Sequence, residues 1–170
     1  IDGAHAPGMV DVEIDDLAPD WYVANLHKWV CAPLGTAFVW TNEPWRSSTH
    51  PMTISHWLDQ GYTEEFDWQG TKDISSWLTA VDAIKVGEQI GWNTIRQHNH
   101  EMAAWMHETL VSAFNVLPLS PIDGSLLGSM ATVLLPAGSP QNLQDCIALR
   151  DDLFSQTALE VPIFEFLGNP

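Results

Sequence analysis

Trp21-Tyr-Val-Ala-Asn-Leu-His-Lys-Trp-Val-Cys-Ala-Pro-Leu-Gly-Thr-Ala-Phe-Val-Trp40 is the stretch on which the reading of this chain turns. Residues 21–24 and 36–40 are rich in aromatic and β-branched side chains, and Pro33-Leu34-Gly35 carries turn chemistry between them. Two short strands are therefore expected, with Lys28 on the loop that joins them. Lys28 is the first lysine of a chain with only six Lys and Arg, stands beside His27, and follows Asp2 by 26 residues. A loop lysine ordinarily sends its ammonium to solvent while its stem covers apolar surface. Its neighbours give this one a second reading.

Upstream, residues 1–10 read as the end of a strand and its turn, since Gly3, Pro7 and Gly8 break any period. Residues 12–17 read as a short connection with an acidic outer side. Downstream, residues 43–70 show no sustained period. A loop of that length is often functional or held by a partner subunit, and Trp40, Trp45, Trp57 and Trp68 lead us to expect it packed. Ile74, Trp77, Leu78, Val81 and Ile84 form a helical stripe behind Asp73 as N-cap. Ile95, Met102, Trp105, Met106, Leu110 and Phe114 mark a second, longer amphipathic helix, whose Met and Trp side chains are expected in a core. Residues 118–129 read as a linker, 130–135 as a strand, 143–155 as a helix and 159–166 as another strand. Two domains follow, residues 1–97 and residues 98–170, the second beginning with the long helix and ending in a small β-α-β set.

Composition excludes some partners. Twenty-two acidic residues against six basic ones give a net charge of −16, a field that repels nucleic-acid phosphates and anionic lipid. No run approaches the 18 or so apolar residues of a membrane span, and no basic segment precedes an apolar one at the start. A soluble protein without nucleic-acid or membrane partners is expected. Cys31 and Cys146 form neither a CxxC pair nor a disulfide framework, which fits a reducing cytoplasm. His98, His100 and His107 are spaced by two and seven residues and do not share one compact helix face, so no metal site is expected. Ile1 opens directly into a strand end and Pro170 follows an apolar run, so the chain is expected to be an internal piece of a longer one.

Lys28 and Asp2 together meet a specific chemical demand. Pyridoxal phosphate needs an amine for a Schiff base, an anion to keep its pyridine nitrogen protonated, and donors around its phosphate. Lys28 supplies an amine, Asp2 an anion, and Asn25 and His27 donors on the same loop.

Three ordered motifs resemble one family, the class V aminotransferases of pyridoxal-phosphate fold type I. They are Asp2-Gly-Ala-His-Ala-Pro-Gly8, then Asn25-Leu-His-Lys-Trp29 with Ala32-Pro-Leu-Gly35, and Trp68-Gln-Gly-Thr-Lys-Asp73. The branch most similar contains isopenicillin N epimerase-like, cysteine desulfurase-like and C–S lyase proteins. That resemblance implies an α/β fold: residues 1–97 as the C-terminal half of a fold type I large domain, then residues 98–170 as an interdomain helix and part of a small α+β domain. It implies that Lys28 carries the Schiff base, Asp2 pairs with the pyridine nitrogen, His5 lies near the ring's phenolate oxygen, and His27 and Asn25 serve the phosphate. Gly70 and Thr71 would reach the phosphate of a neighbouring subunit's cofactor, which implies a homodimer with shared active sites.

The activity so implied acts at the α-carbon of a small amino acid, of the epimerase or C–S lyase type. A class V aminotransferase proper, or a non-catalytic interaction module, is the alternative. Cys146 sits at helical spacing with Leu143, Ile147 and Arg150 and reads as a core thiol rather than the thiolate of a desulfurase; Cys31 reads as a packed thiol near the cofactor loop. His50 and His56 are candidates for substrate contact or a second proton carrier, set against plain surface histidines. A whole subunit of this family also has N-terminal helices, the main phosphate-binding turn, a side chain stacked on the pyridine and a C-terminal arginine. None is recognisable in these residues, so the isolated segment is expected to be nearly inactive.

Overall fold

A computed structural model describes residues 1–165. The chain divides into two compact units, Ile1–Asn99 and His100–Pro170.

In the first unit a four-residue helix, α1 (Ile14–Leu17), precedes β1 (Trp21–Asn25) and β2 (Ala37–Thr41). The two strands pair antiparallel with Trp21 opposite Thr41 and Asn25 opposite Ala37. Alternation along β1 puts Tyr22 and Ala24 on the buried face and Trp21 and Val23 on the exposed one, the period of two that a half-buried strand requires. A third segment joins on the other side of β1: Asp2 bridges Val23 in parallel. Gly3 N–H donates to the Val23 carbonyl at 2.8 Å, and Val23 N–H to the Ile1 carbonyl at 3.1 Å.

Tyr22 is 2% exposed and stacks on Phe38 at 6.1 Å between ring centroids. Its hydroxyl has no hydrogen-bond partner, and burial pushes it above its ordinary 10.0. The native state keeps the neutral phenol while the unfolded chain ionises near its usual value. This contribution to stability is therefore complete below about pH 10 and is lost as pH climbs from there through the raised native value. Urea midpoints measured across that range should fall for the wild type more steeply than for Tyr22→Phe, and equal slopes would refute the assignment.

Residues 43–70 contain a 3₁₀ turn (Glu43–Ser48) and α2 (Tyr62–Asp67). Trp45, Trp57 and Trp68 each remain about half exposed, so this loop is less packed than its tryptophans led us to expect. Part of their surface is used locally: Trp45 lies 5.1 Å from Trp21 and donates its indole N–H to Asp20. The N-cap of α3 (Ser75–Ile90) is Ile74, which makes no side-chain cap bond, rather than the expected Asp73; one residue earlier, Asp73 takes both the N–H and the hydroxyl of Ser75 on one carboxylate oxygen. Those bonds hold its carboxyl below the usual range. The helix forms where its stripe predicts, yet Trp77, Leu78 and Val81 are exposed. A 3.6-residue period tells which face is apolar, not that the same chain covers it.

The long α4 (Trp92–Phe114) runs from the first unit into the second. Its buried stripe is Ala103, His107 and Val111, whereas Met102, Trp105 and Met106 are exposed, which corrects the core expected of them. His107 is fully buried with neither ring nitrogen bonded. In the second unit α5 (Leu143–Thr157) carries Cys146 buried in its core-facing side, capped by Asn142 accepting from Asp145 N–H. The two strands expected around α5 do not form: residues 130–135 and 159–165 are irregular. A strand exists only through ladder bonds to a partner, and neither run has one among the described residues. Phe166 lies outside them. Residues 12–17, expected as a plain connection, contain α1.

No helix among the described residues is long and apolar enough to cross a membrane.

Candidate active site

Thr36 organises the lysine loop. Its carbonyl accepts from Leu26 N–H at 2.9 Å, His27 N–H at 3.2 Å and His27 Nδ1 at 3.0 Å. Its own hydroxyl, fully buried, donates to the Pro33 carbonyl and lies within reach of the Ser76 carbonyl. Ala32 N–H returns to the Leu26 carbonyl and Cys31 N–H to the Lys28 carbonyl. Residues 26–36 thus form a closed loop whose backbone groups are satisfied around its base, with Lys28 near its outer turn. Nothing in the residue type marks Thr36 for this role; its place as the first residue of the second β-prone run was the available signal.

Because a carbonyl can only accept, Nδ1 of His27 carries its proton toward Thr36. Nε2 is then the free ring nitrogen.

The segment carrying Asp2 and His5 comes against this loop. Both loops leave the carboxyl ends of parallel neighbours, Asp2 level with Val23 and Lys28 five residues further along β1 and its exit. Close approach follows at Gly8, where an added Cβ would lie 2.7 Å from the Trp29 carbonyl oxygen. Carboxyl ends of parallel strands are where open α/β sheets place ligands. Asp2 is fixed in orientation by one carboxylate oxygen that accepts Ala4 N–H at 2.9 Å, leaving the other oxygen free. His5 is exposed on the loop between Asp2 and Gly8, and Asn25 ends β1 half-buried with no side-chain bond among the described residues.

Lys28 differs from every other basic side chain among the described residues. Arg46 donates to the Thr41 carbonyl, Arg96 pairs with Asp11, Arg150 with Asp151 and Lys85 with Asp82, while Lys72 sits 4.8 Å over the Trp77 ring. Half-buried Lys28 has no such partner.

Gly70 and Thr71 are not part of this constellation. They border a separate cleft of about 510 Å³ formed by residues 54–56 and 68–71, to which no residue of the lysine loop contributes. Gly70 takes φ +102, a conformation that favours glycine, with open space where a Cβ would stand. Asp2 itself borders a second cavity of about 400 Å³, lined by α1 and Tyr22 rather than by Lys28.

Cys31, expected as a packed thiol, is instead exposed and adopts φ +60 at the tip of the lysine loop; the tight turn between Lys28 and Ala32 rotates it outward. Sequence reasoning also missed Glu65. It is 4% exposed, accepting His50 Nδ1 at 2.7 Å and Asp59 N–H at 3.0 Å. Its signal was present: Tyr62, Glu65 and Phe66 fall at i, i+3 and i+4 of α2, so the carboxylate shares a face with two aromatic rings.

The family model described as Aminotransferase class-V matches residues 1–148. A putative L-cysteine desulfhydrase 1 of Oryza sativa subsp. japonica is 34% identical over 169 residues, covering 96% of this chain and 35% of that protein. Isopenicillin N epimerase of Amycolatopsis lactamdurans is 28% identical, covering all of this chain and 45% of the epimerase. The chain thus spans between a third and a half of the length of these relatives. Among solved structures, the apo cysteine desulfurase of Thermococcus onnurineus NA1 superposes with a TM-score of 0.68 at 19% identity, over 89% of this chain and 39% of that one. The likeness is of fold, and it bears out a partial fold type I α/β architecture. The chain belongs to the pyridoxal-phosphate-dependent class V aminotransferase family of fold type I, in its cysteine desulfurase and isopenicillin N epimerase branch.

Proposed function

We propose that the protein binds pyridoxal phosphate through Lys28 and acts at the α-carbon of a small amino acid, as an epimerase or C–S lyase. The observation that carries this reading is the unpartnered Lys28 amine on a loop packed against the Asp2 segment. The donor set fits the cofactor: one amine, one oriented carboxylate with a free oxygen, and polar side chains of Asn25 and His27 on the same loop.

When bound, the group supplies an electron sink for the pair left on the substrate's α-carbon. Asp2 would pair with the ring nitrogen through its free oxygen and hold the proton there. His5 would hold the ring's phenolate oxygen, and His27 and Asn25 the phosphate. Lys28 would hold the group through its amine and would serve as the base for the α-proton. These roles are common to inversion, sulfur elimination and transamination. The names of the relatives, desulfhydrases and epimerases, support the first two. Gly70 and Thr71, apart from their own lysine loop, serve a neighbouring subunit in a homodimer with shared sites. Residues 1–97 then form the C-terminal half of the large domain and residues 98–170 the interdomain helix with part of the small one. Two cysteines, both free, fit a cytoplasmic setting.

The test is incubation of the full-length gene product and cofactor with L-cysteine, its S-substituted derivatives and other L-amino acids, reading sulfide, inverted amino acid and keto acid separately. Released sulfur or inversion is expected. Keto acid formed only when an amino acceptor is supplied would move the reading to an aminotransferase proper, and no cofactor uptake at all would leave a non-catalytic module.

A further inference from the structure

Four pieces of the first unit meet at one buried residue, Thr36. Its N–H closes the Pro33–Thr36 turn on the Pro33 carbonyl at 3.2 Å, and Gly35, third in that turn, takes the φ of +82 that a type II reversal requires. Ala37, next in the chain, opens β2. Its carbonyl carries the base of the lysine loop through Leu26 N–H, His27 N–H and His27 Nδ1. The fourth piece is α3: the Thr36 hydroxyl stands 2.7 Å from the Pro33 carbonyl and 3.2 Å from the carbonyl of Ser76, 40 residues further on.

A hydroxyl has one proton to donate, and a carbonyl can only accept. At 0% exposure the Thr36 hydroxyl has no solvent to turn to, so its proton is shared between the turn of the lysine loop and the first turn of α3. That end of the helix is itself held. Asp73 takes the N–H and hydroxyl of Ser75, and the Thr79 hydroxyl lies 3.2 Å from the same Ser76 carbonyl.

The side chain that gains most from this anchorage is His27. Its Nδ1 is bonded to the carbonyl of a residue whose hydroxyl is fixed on two sides, so the ring cannot turn without breaking that bond, and the proton stays on Nδ1. Lys28 follows directly. Its backbone runs from the His27 N–H, held by Thr36, to its own carbonyl, which accepts Cys31 N–H at 3.1 Å.

We propose that Thr36 is a positioning residue of the candidate site: its hydroxyl locks the lysine loop between the Pro33 turn and α3, and through its carbonyl that lock sets the tautomer of His27 and the entry to Lys28. The link from His27 and Lys28 to pyridoxal phosphate rests on the function proposed above, but the lock does not.

Thr36→Val tests it, because valine keeps the branched shape and removes only the hydroxyl. The Pro33 carbonyl retains the N–H of position 36, and the Ser76 carbonyl retains the Thr79 hydroxyl within reach, so neither is orphaned and the fold should survive. In the full-length gene product without cofactor, nitrogen NMR of the neutral His27 ring should show the Nδ1–H tautomer, and the Leu26 and His27 amides should exchange slowly. In Thr36→Val the ring should become a mixture of tautomers and both amides should exchange about fivefold faster, the worth of one hydrogen bond. Cofactor uptake, read at its long-wavelength band, should weaken by a similar factor, and Thr36→Ser, which restores the hydroxyl, should recover all three. A merely structural threonine would lower the urea midpoint and leave the ring and the affinity where they were. An Nε2–H tautomer in the wild type, an unchanged His27 ring in Thr36→Val, or no recovery in Thr36→Ser overturns the proposal. Should the protein take up no cofactor at all, the function proposed above fails while the ring and amide measurements still decide this one.

Discussion

Lys28→Ala is expected to lose the long-wavelength absorption band that pyridoxal phosphate gives when joined to a lysine, and to lose turnover by about a thousandfold or more, because anchor and base vanish together. The expectation is sharp because no other amine stands ready to substitute. Lys72 lies over the Trp77 ring and Lys85 pairs with Asp82 one helical turn away. The change should barely touch folding. The Lys28 side chain makes no hydrogen bond or ion pair among the described residues, so its removal leaves no orphaned partner, and a half-exposed side chain of this kind is worth about 0.5 kcal/mol or less. Lost colour with an unchanged urea midpoint is therefore the predicted pair of results. Lys72→Ala should keep the band. A band that survives in Lys28→Ala would refute the assignment outright.

What could be read from the residues follows from range. The β1–β2 hairpin, the lysine loop between its strands and the helices α3, α4 and α5 depend on contacts close in sequence, and period and turn chemistry reported them. Residues 130–135 and 159–165 have strand composition too, but a strand needs a partner, and composition does not say where the partner is. Likewise the stripe of α3 was legible while the exposure of Trp77 and Val81 was not, since burial belongs to whatever covers a face. At the candidate site, Asp2 and Lys28 were singled out through the chemistry they share. Thr36 and Glu65 were not, because a buried hydroxyl and a buried carboxylate look like ordinary polar residues until their partners are known. The contact of Gly8 with Trp29 shows the same limit: a glycine read as a turn residue is also one that lets two loops meet.

Gly3→Ala should damage the first unit severely. A Cβ built there would stand 2.2 Å from both Cζ and Oη of Tyr22, far inside contact distance. Neither side yields easily. Tyr22 is buried and stacked on Phe38, and Gly3 is held by its own N–H to Val23, with Val23 N–H bonded to Ile1 on the other side. Overpacking of this kind costs about 1–3 kcal/mol, occasionally more. If the strand lifts off β1 instead, both backbone bonds go, each worth about 1 kcal/mol. The second route has a functional consequence, because Asp2 is the residue that moves. Cofactor affinity should then fall together with the urea midpoint, even though no proposed cofactor ligand has been changed. Tyr22→Phe added to Gly3→Ala should rescue little, since Cζ still collides, whereas Tyr22→Leu clears the ring's far end and should restore part of the affinity. Wild-type stability and cofactor binding in Gly3→Ala would mean that Asp2 does not depend on this packing to reach its place beside the lysine loop.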